Sequence, residues 1–226
     1  MWYNYFFQIQ KKYNVRISKV NPLVVRFDGK DVTKNANLNF MHEFEGSFFT
    51  SFKQTISYFT EKYHGYAIFG SDEVSFIFPE PMLLVKDLDN EECNHTNEII
   101  SVFSQMFYAH FNNLYQNIDK IFWHGKCFSI KPEKLASYIK YRSVSIHNVL
   151  TTYFLKKKNI RSGKLKLTER EELCKEQEDY EVLSKMSYGI LYYNGYKIDL
   201  NEFIDNQKII KIEEEKTNTY AGLEDF

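Results

Sequence analysis

Leu23-Val24-Val25-Arg26-Phe27-Asp28-Gly29 and Gly70-Ser71-Asp72-Glu73-Val74-Ser75-Phe76-Ile77-Phe78 are the two stretches that decide the fold. The first is a run rich in Leu, Val and Phe that meets Asp-Gly, which reads as a buried strand stopping in a turn. The second reads, together with Tyr66-Ala67-Ile68-Phe69, as two strands flanking Gly70-Ser71-Asp72-Glu73, a hairpin with carboxylates at its tip. Between them Phe48, Phe52, Ile56, Phe59 and Tyr63 recur at helical spacing, and His64-Gly65 supplies a stop. The order through Phe78 is β-α-β-β.

Outward from there, Glu80 to His95 reads as a loop containing Pro81 and an acidic cluster. Ile99, Ile100, Phe103, Phe107, Phe111 and Leu114 mark a second amphipathic helix. Cys127-Phe128-Ser129-Ile130 suits a fourth strand, and Pro132-Glu133 opens a third helix that ends in Lys156-Lys157-Lys158. The pattern β-α-β-β-α-β is the ferredoxin-like arrangement, an α+β sheet with helices on one face. Beyond it lie a polar helical stretch, Lys164 to Glu181, and a hairpin built on Asn194-Gly195. The charged end from Ile212 is expected to be loosely ordered. The division this suggests is 1–160 for the core unit and 161–226 for a helix, hairpin and acidic tail packed on it.

Composition sets outer limits. Of 226 residues, 43% are hydrophobic and 26% charged, which suits a globular fold with a core. The net charge of −1 rules out a global basic field, so any RNA contact must rest on a local patch. Lys156, Lys157 and Lys158, with Arg161, Lys164 and Lys166, form the best one; helix-dipole stabilisation and solvation explain it equally well. The Phe stripes read as core, and the aromatic excess accompanies many Ile, Asn and Lys, a mix typical of AT-rich genomes. Cys93, Cys127 and Cys174 are isolated, which argues against disulfides and zinc. No apolar run reaches membrane-spanning length and no signal pattern opens the chain, so it reads as intracellular, in the cytoplasm or a mitochondrion.

The chemistry lies in where the carboxylates fall. In a β-α-β-β unit the first strand and the hairpin are sheet neighbours, so Asp28 and Asp72 come to one edge, with Glu73 beside them. Two close carboxylates repel unless a cation lies between them. Magnesium takes one or two carboxylates and leaves its other positions to water and phosphate oxygens. A pair of such ions can activate an attacking hydroxyl and steady a leaving oxygen. Gly29 offers a backbone without a side chain, whose carbonyl can approach a metal and whose N–H a phosphate. Taken singly, Asp-Gly is an ordinary turn and Ser-Asp-Glu an ordinary solvated loop; their pairing favours a metal site.

Val24-Val25-Arg26-Phe27-Asp28-Gly29-Lys30 resembles the V-V-R-I/L-D-G-R/K opening of the tRNA-histidine guanylyltransferase family. Gly70 to Phe78 resembles that family's G-Q-S-D-E-Y/F-S-F-V/L-F hairpin without its Gln. Trp123-His124-Gly125-Lys126 resembles F-D-G/A-R, and Tyr141-Arg142 through His147-Asn148 resembles its W-R-x-x-x-x-H-x-N-N helix. The resemblance implies a polymerase-palm fold that adds nucleotides to the 5′ end of tRNA, in the 3′–5′ direction. It implies that Asp28 and Asp72 ligate two Mg²⁺ ions, joined by the Gly29 carbonyl, with Glu73 in support. Backbone groups of Asp28, Gly29, Lys30, Asp31, Val32 and Thr33, with the Ser71 hydroxyl, would hold the phosphates of GTP or another nucleotide and of ATP. His147, Asn148, Lys156, Lys157 and Lys158 are the candidate tRNA contacts, though His147 could equally pack in the core. Relatives form tetramers, and a homo-oligomer is expected.

Departures from the family pattern fall around the substrate. Asn39-Phe40-Met41-His42-Glu43 stands where a K-P-x-D-like stretch helps bind a triphosphate, and His124 replaces an Asp. His147-Asn148-Val149-Leu150 keeps only the His in register, and Ser187-Tyr188-Gly189 replaces a basic Y-R-x-G. Guanylate addition to tRNA-His and repair of tRNA 5′ ends both fit. So do two alternatives, a nucleotide cyclase on the same palm and a non-catalytic RNA-binding relative.

Overall fold

The structure, a computed structural model, describes residues 15–30, 46–88, 95–115 and 122–206. Asp31, Val32, Thr33, the Asn39–Glu43 stretch, the side chain of Lys30 and the tail from Ile212 lie outside the described residues.

Six strands form one antiparallel sheet: β1 (Leu23–Lys30), β2 (Tyr66–Gly70), β3 (Glu73–Phe78), β4 (Phe122–Ser129), β5 (Ile190–Tyr193) and β6 (Tyr196–Ile198). Their spatial order is β4-β1-β3-β2-β5-β6. The first four follow the ferredoxin-like order that the pattern predicts, within an α+β fold. The Asn194-Gly195 hairpin extends this same sheet, because β5 pairs with β2 from Tyr66↔Tyr193 to Phe69↔Ile190. Its two turn residues have φ of +48° and +84°, the tight-turn geometry that Asn-Gly favours.

Helices α1 (Ser47–Lys62) and α3 (Thr96–Leu114) cover one face. Phe27 from β1 stacks on Phe107 (5.0 Å) and Phe103 (5.6 Å) of α3, and Phe76 meets Phe59 of α1 edge-on at 6.2 Å. Burying each Phe contributes about 1.5–3 kcal/mol, which makes this aromatic layer the main store of stability. α1 ends with His64 at φ +48° and Gly65 N–H donating to the Thr60 carbonyl at 2.9 Å. Gly65 is needed for space, since a Cβ there would sit 2.8 Å from Phe78 Cδ1.

The expectation that helices share one face holds for α1 and α3 only. α4 (Leu135–Lys157) crosses the opposite face, where Tyr138 Oη donates to Ser75 Oγ at 3.2 Å and Ile146 presses on Gly70. Two boundaries also differ. β4 begins at Phe122, five residues before the apolar run, because it pairs with all eight residues of β1. Its outward positions are exposed, which weakens the hydrophobic signal. The loop expected over 80–95 holds a short helix, α2 (Pro81–Asp87), started by Pro81 and anchored by buried Leu84 and Val85. The polar stretch after α4 divides into α5 (Leu167–Lys175) and α6 (Tyr180–Ser184). Among the described residues no helix is long and apolar enough to cross a membrane.

Candidate active site

Alternation along β1 sends Leu23, Val25 and Phe27 to the aromatic core and Arg26 and Asp28 to the opposite face. β3 is in register with it, Asp28 opposite Glu73 and Arg26 opposite Ser75. These four residues therefore share the face that α4 crosses. Asp28 lies inside the strand rather than past its end, since β1 runs on through Gly29 and Lys30. β4 places His124 opposite Asp28 on the other side.

Asp72 is brought in by the hairpin turn. Ser71 takes φ +58° there, a left-handed conformation that a two-residue turn requires at its first central position. Beyond the last ladder pair, the Gly29 N–H donates to the Asp72 carbonyl at 2.9 Å. One backbone hydrogen bond thus joins the two aspartate-bearing segments. The Ser71 hydroxyl donates to Asp72 Oδ1 at 3.0 Å, so in this state it serves the carboxylate.

The charges around these groups are unequal. Arg26 Nη2 donates to Asp28 Oδ2 at 2.9 Å and to Glu73 Oε2 at 2.7 Å, and Arg142 from α4 donates to Glu73 Oε1. Glu73, only 14% exposed, is thus held between two guanidinium groups, while Asp28 stays 48% exposed. Three carboxylates face two arginines, and Asp72 is the one without an arginine partner among these ion pairs. Burial, aided by the neighbouring Asp28 charge, pushes its carboxyl up to about 6. Burial also raises Asp28, against the opposing pull of Arg26.

Two carboxylates with unbalanced negative charge and hard oxygen donors fit magnesium, which needs no more protein carboxylates than that. Among the described residues no group of three or more His, Cys, Asp and Glu is arranged to hold a metal. Glu73 is committed to its arginines, which leaves Asp28 and Asp72 as the carboxylates free to meet a cation.

The proposed tRNA contacts lie apart. His147 is buried, its ring stacked 4.1 Å from Tyr188 and its Nε2 3.9 Å from Glu171. Asn148 is exposed and accepts from Arg170 of α5. Lys156, Lys157 and Lys158 are exposed at the C-terminal end of α4, where Lys158 pairs with Asp179 at 2.9 Å. Arg26, Arg142 and Tyr138 carry no role in the sequence reading. The period-2 pattern alone could have placed Arg26 beside Asp28.

No family model and no characterised protein sequence matches this chain. Solved structures do. A bacterial tRNA(His) guanylyltransferase-like protein in complex with ATP has a TM-score of 0.61 at 17% identity, covering 88% of this chain and 92% of that one. A complex of a bacterial protein of that description with GTP has a TM-score of 0.59 at 17% identity, over 84% and 83% of the two chains. The tRNA(His) guanylyltransferase of Saccharomyces cerevisiae has a TM-score of 0.54 at 19% identity, over 85% and 93%. Over most of its length, therefore, the chain has the fold of tRNA-histidine guanylyltransferases and their bacterial relatives.

Proposed function

We propose that this protein is a Mg²⁺-dependent nucleotidyltransferase that adds nucleotides to the 5′ end of tRNA. The observation that carries the reading is the junction of Gly29 with Asp72, which sets Asp28 beside a half-buried Asp72 carrying unneutralised charge. The fold shared with proteins solved with GTP and with ATP supports nucleotide substrates. Asp28 and Asp72, with the Gly29 carbonyl, would hold magnesium, which when bound supplies charge for an attacking hydroxyl and a leaving phosphate. Arg26 holds the Asp28 carboxylate in place, and Arg142 fixes Glu73 from the far side. With the Gly29 N–H given to the Asp72 carbonyl, the backbone that follows, from Lys30 to Thr33, and the Lys30 side chain would take the phosphates. Residues 1–160 form the catalytic unit in this reading, 161–226 pack on it, and the working form is a tetramer in the cytoplasm.

One observation favours a binding-only role instead, namely that Glu73 is saturated by arginines. Incubation with Mg²⁺, labelled GTP and a 5′-truncated tRNA separates the readings. Label entering tRNA, and lost in Asp72→Ala, is the expected result. A cyclic product would establish a cyclase, and tight tRNA binding without turnover would establish the binding-only role.

A further inference from the structure

A cavity of about 650 Å³ lies between α4, α6, the β5–β6 hairpin and the helical turn at residues 200–206. None of Asp28, Asp72 and Glu73 lines it. α4 serves both places with different sides: Tyr138 and Arg142 reach Ser75 and Glu73, whereas Lys140 and Val144 line the cavity. This size falls within the range of about 300–1,000 Å³ that small-molecule sites occupy.

The lining has two characters. Leu191 and Ile198, paired across β5 and β6, give it apolar surface beside Tyr188. The Tyr188 ring is 44% exposed and backed by the buried His147 ring at 4.1 Å and 11°. Gly189 follows at φ +80°, where a Cβ would meet the Phe69 carbonyl and Ile146 Cδ1 at 2.9 Å, so the backbone beneath Tyr188 admits only glycine. Around this surface stand Lys140, Lys185 and Lys197, each from a different element and each exposed. Of the nearby acids, Asp199, a lining residue, caps the Glu202 N–H at 2.8 Å, Glu181 reaches Lys185 at 3.3 Å, and Glu171 accepts from the Tyr188 hydroxyl and lies 3.7 Å from Lys175. Lys140 and Lys197 have no acid within ion-pair distance among the described residues.

An apolar wall with one aromatic ring, rimmed by cations, fits a ligand with a planar body and an anionic end. We propose that this cavity is a second nucleotide-phosphate site, in which a base packs against Tyr188 and its phosphates meet Lys140 and Lys197. Unstacked RNA bases are held in this way by aromatic side chains, with phosphates on lysines. The choice of a nucleotide as ligand rests on the proposed function; the cavity and its charge do not. The nucleotide is either free or carried within the RNA substrate, and the two sources are separable.

The test uses the full chain in EDTA, so that no transfer occurs. Equilibrium dialysis measures labelled GTP, and anisotropy measures a fluorescent 5′-phosphorylated tRNA-acceptor hairpin. In Lys140→Glu/Lys197→Glu, binding of one or both probes weakens tenfold or more, and Tyr188→Ala weakens the same probe severalfold. Loss of GTP alone identifies a free nucleotide, and loss of the hairpin identifies one within RNA. Asp72→Asn leaves this component unchanged, which distinguishes the cavity from the carboxylate site. Binding within twofold of wild type for both probes overturns the proposal. So does an equal loss in the control Lys131→Glu/Lys134→Glu, which would report net charge alone. Transfer assays at saturating substrate score the proposed function separately.

Discussion

Asp72 holds a charge that its surroundings disfavour, and that has a thermodynamic consequence. Its folded carboxyl titrates at about 6 against an ordinary 3.8, so the folded state binds the proton more tightly than the unfolded chain does. The group's contribution is therefore favourable at low pH and is lost as pH rises through about 6. At pH 7.5 in EDTA the ionised form costs about 2–3 kcal/mol, since each tenfold difference in proton affinity is worth roughly 1.4 kcal/mol. Asp72→Asn should accordingly be more stable than wild type by about that amount at pH 7.5 in denaturant unfolding, and should approach it near pH 4. Saturating Mg²⁺ should narrow the gap, because a cation removes the repulsion, while transfer activity is abolished. A variant no more stable than wild type at pH 7.5 would show that the site holds its charge without strain. The two aspartates were legible in the sequence because each interrupts an apolar run, although β1 continues past Asp28 through Gly29 to Lys30. Arg142 had no such signal, since its contact with Glu73 spans 69 positions and depends on which face α4 covers.

The seam between α4 and the sheet turns on one glycine. A Cβ at Gly70 would lie 2.4 Å from Ile146 Cγ2, so the Ile146 side chain or the helix that carries it must give way. Gly70→Ala should push α4 outward and draw Arg142 from Glu73, lowering the transfer rate tenfold or more. Adding Ile146→Ala should recover much of that loss, since the crowding methyl is then gone. Additive losses in the double variant would instead locate the defect in the turn. The same helix carries a pH-sensitive contact. His147 is buried against Tyr188 and faced by Glu171, Arg170 and Lys175, and burial holds its pKa below the ordinary 6.5. A depressed histidine contributes stability that is present above 6.5 and lost as pH falls. Wild type should lose melting temperature between pH 7 and 5 more steeply than His147→Met, whatever their starting values; parallel curves would clear His147 of this role. Such seams were hidden from the sequence for a physical reason. α1 and α3 announce themselves through repeated Phe on one side. α4 packs a mixed surface of Tyr, Arg, Ile and His over polar strand residues, so its pattern gives length without orientation. β4 reads short in the sequence for a related cause, because an edge strand exposes alternate residues and its apolar signal begins only at Cys127, near its end at Ser129.

At the scale of the molecule, a net charge of −1 limits how RNA can be held. A uniformly basic nucleic-acid protein draws its ligand from a distance, whereas here the cations are local: Lys140, Lys185 and Lys197 at the cavity and Lys156 to Lys158 at the end of α4. Several already face acids, Lys158 with Asp179 and Lys185 with Glu181. The sheet joins the two ends of the molecule, since β5 pairs directly with β2, the strand that leads into the Ser71-Asp72 turn. A substrate anchored at the hairpin is thereby referred to the carboxylates through a rigid ladder rather than a linker. Few phosphates can be neutralised in such an arrangement, and each releases about 0.7–0.9 counterion. The affinity for tRNA, measured by filter binding from 50 to 300 mM KCl without Mg²⁺, should fall with a log–log slope of about −2 to −3. Lys140→Glu/Lys197→Glu should flatten it by about one to two. A slope steeper than about −5 would mean a broad basic face, contrary to the charge distribution seen here. A slope near zero would mean that stacking and shape, with little charge neutralisation, hold the RNA.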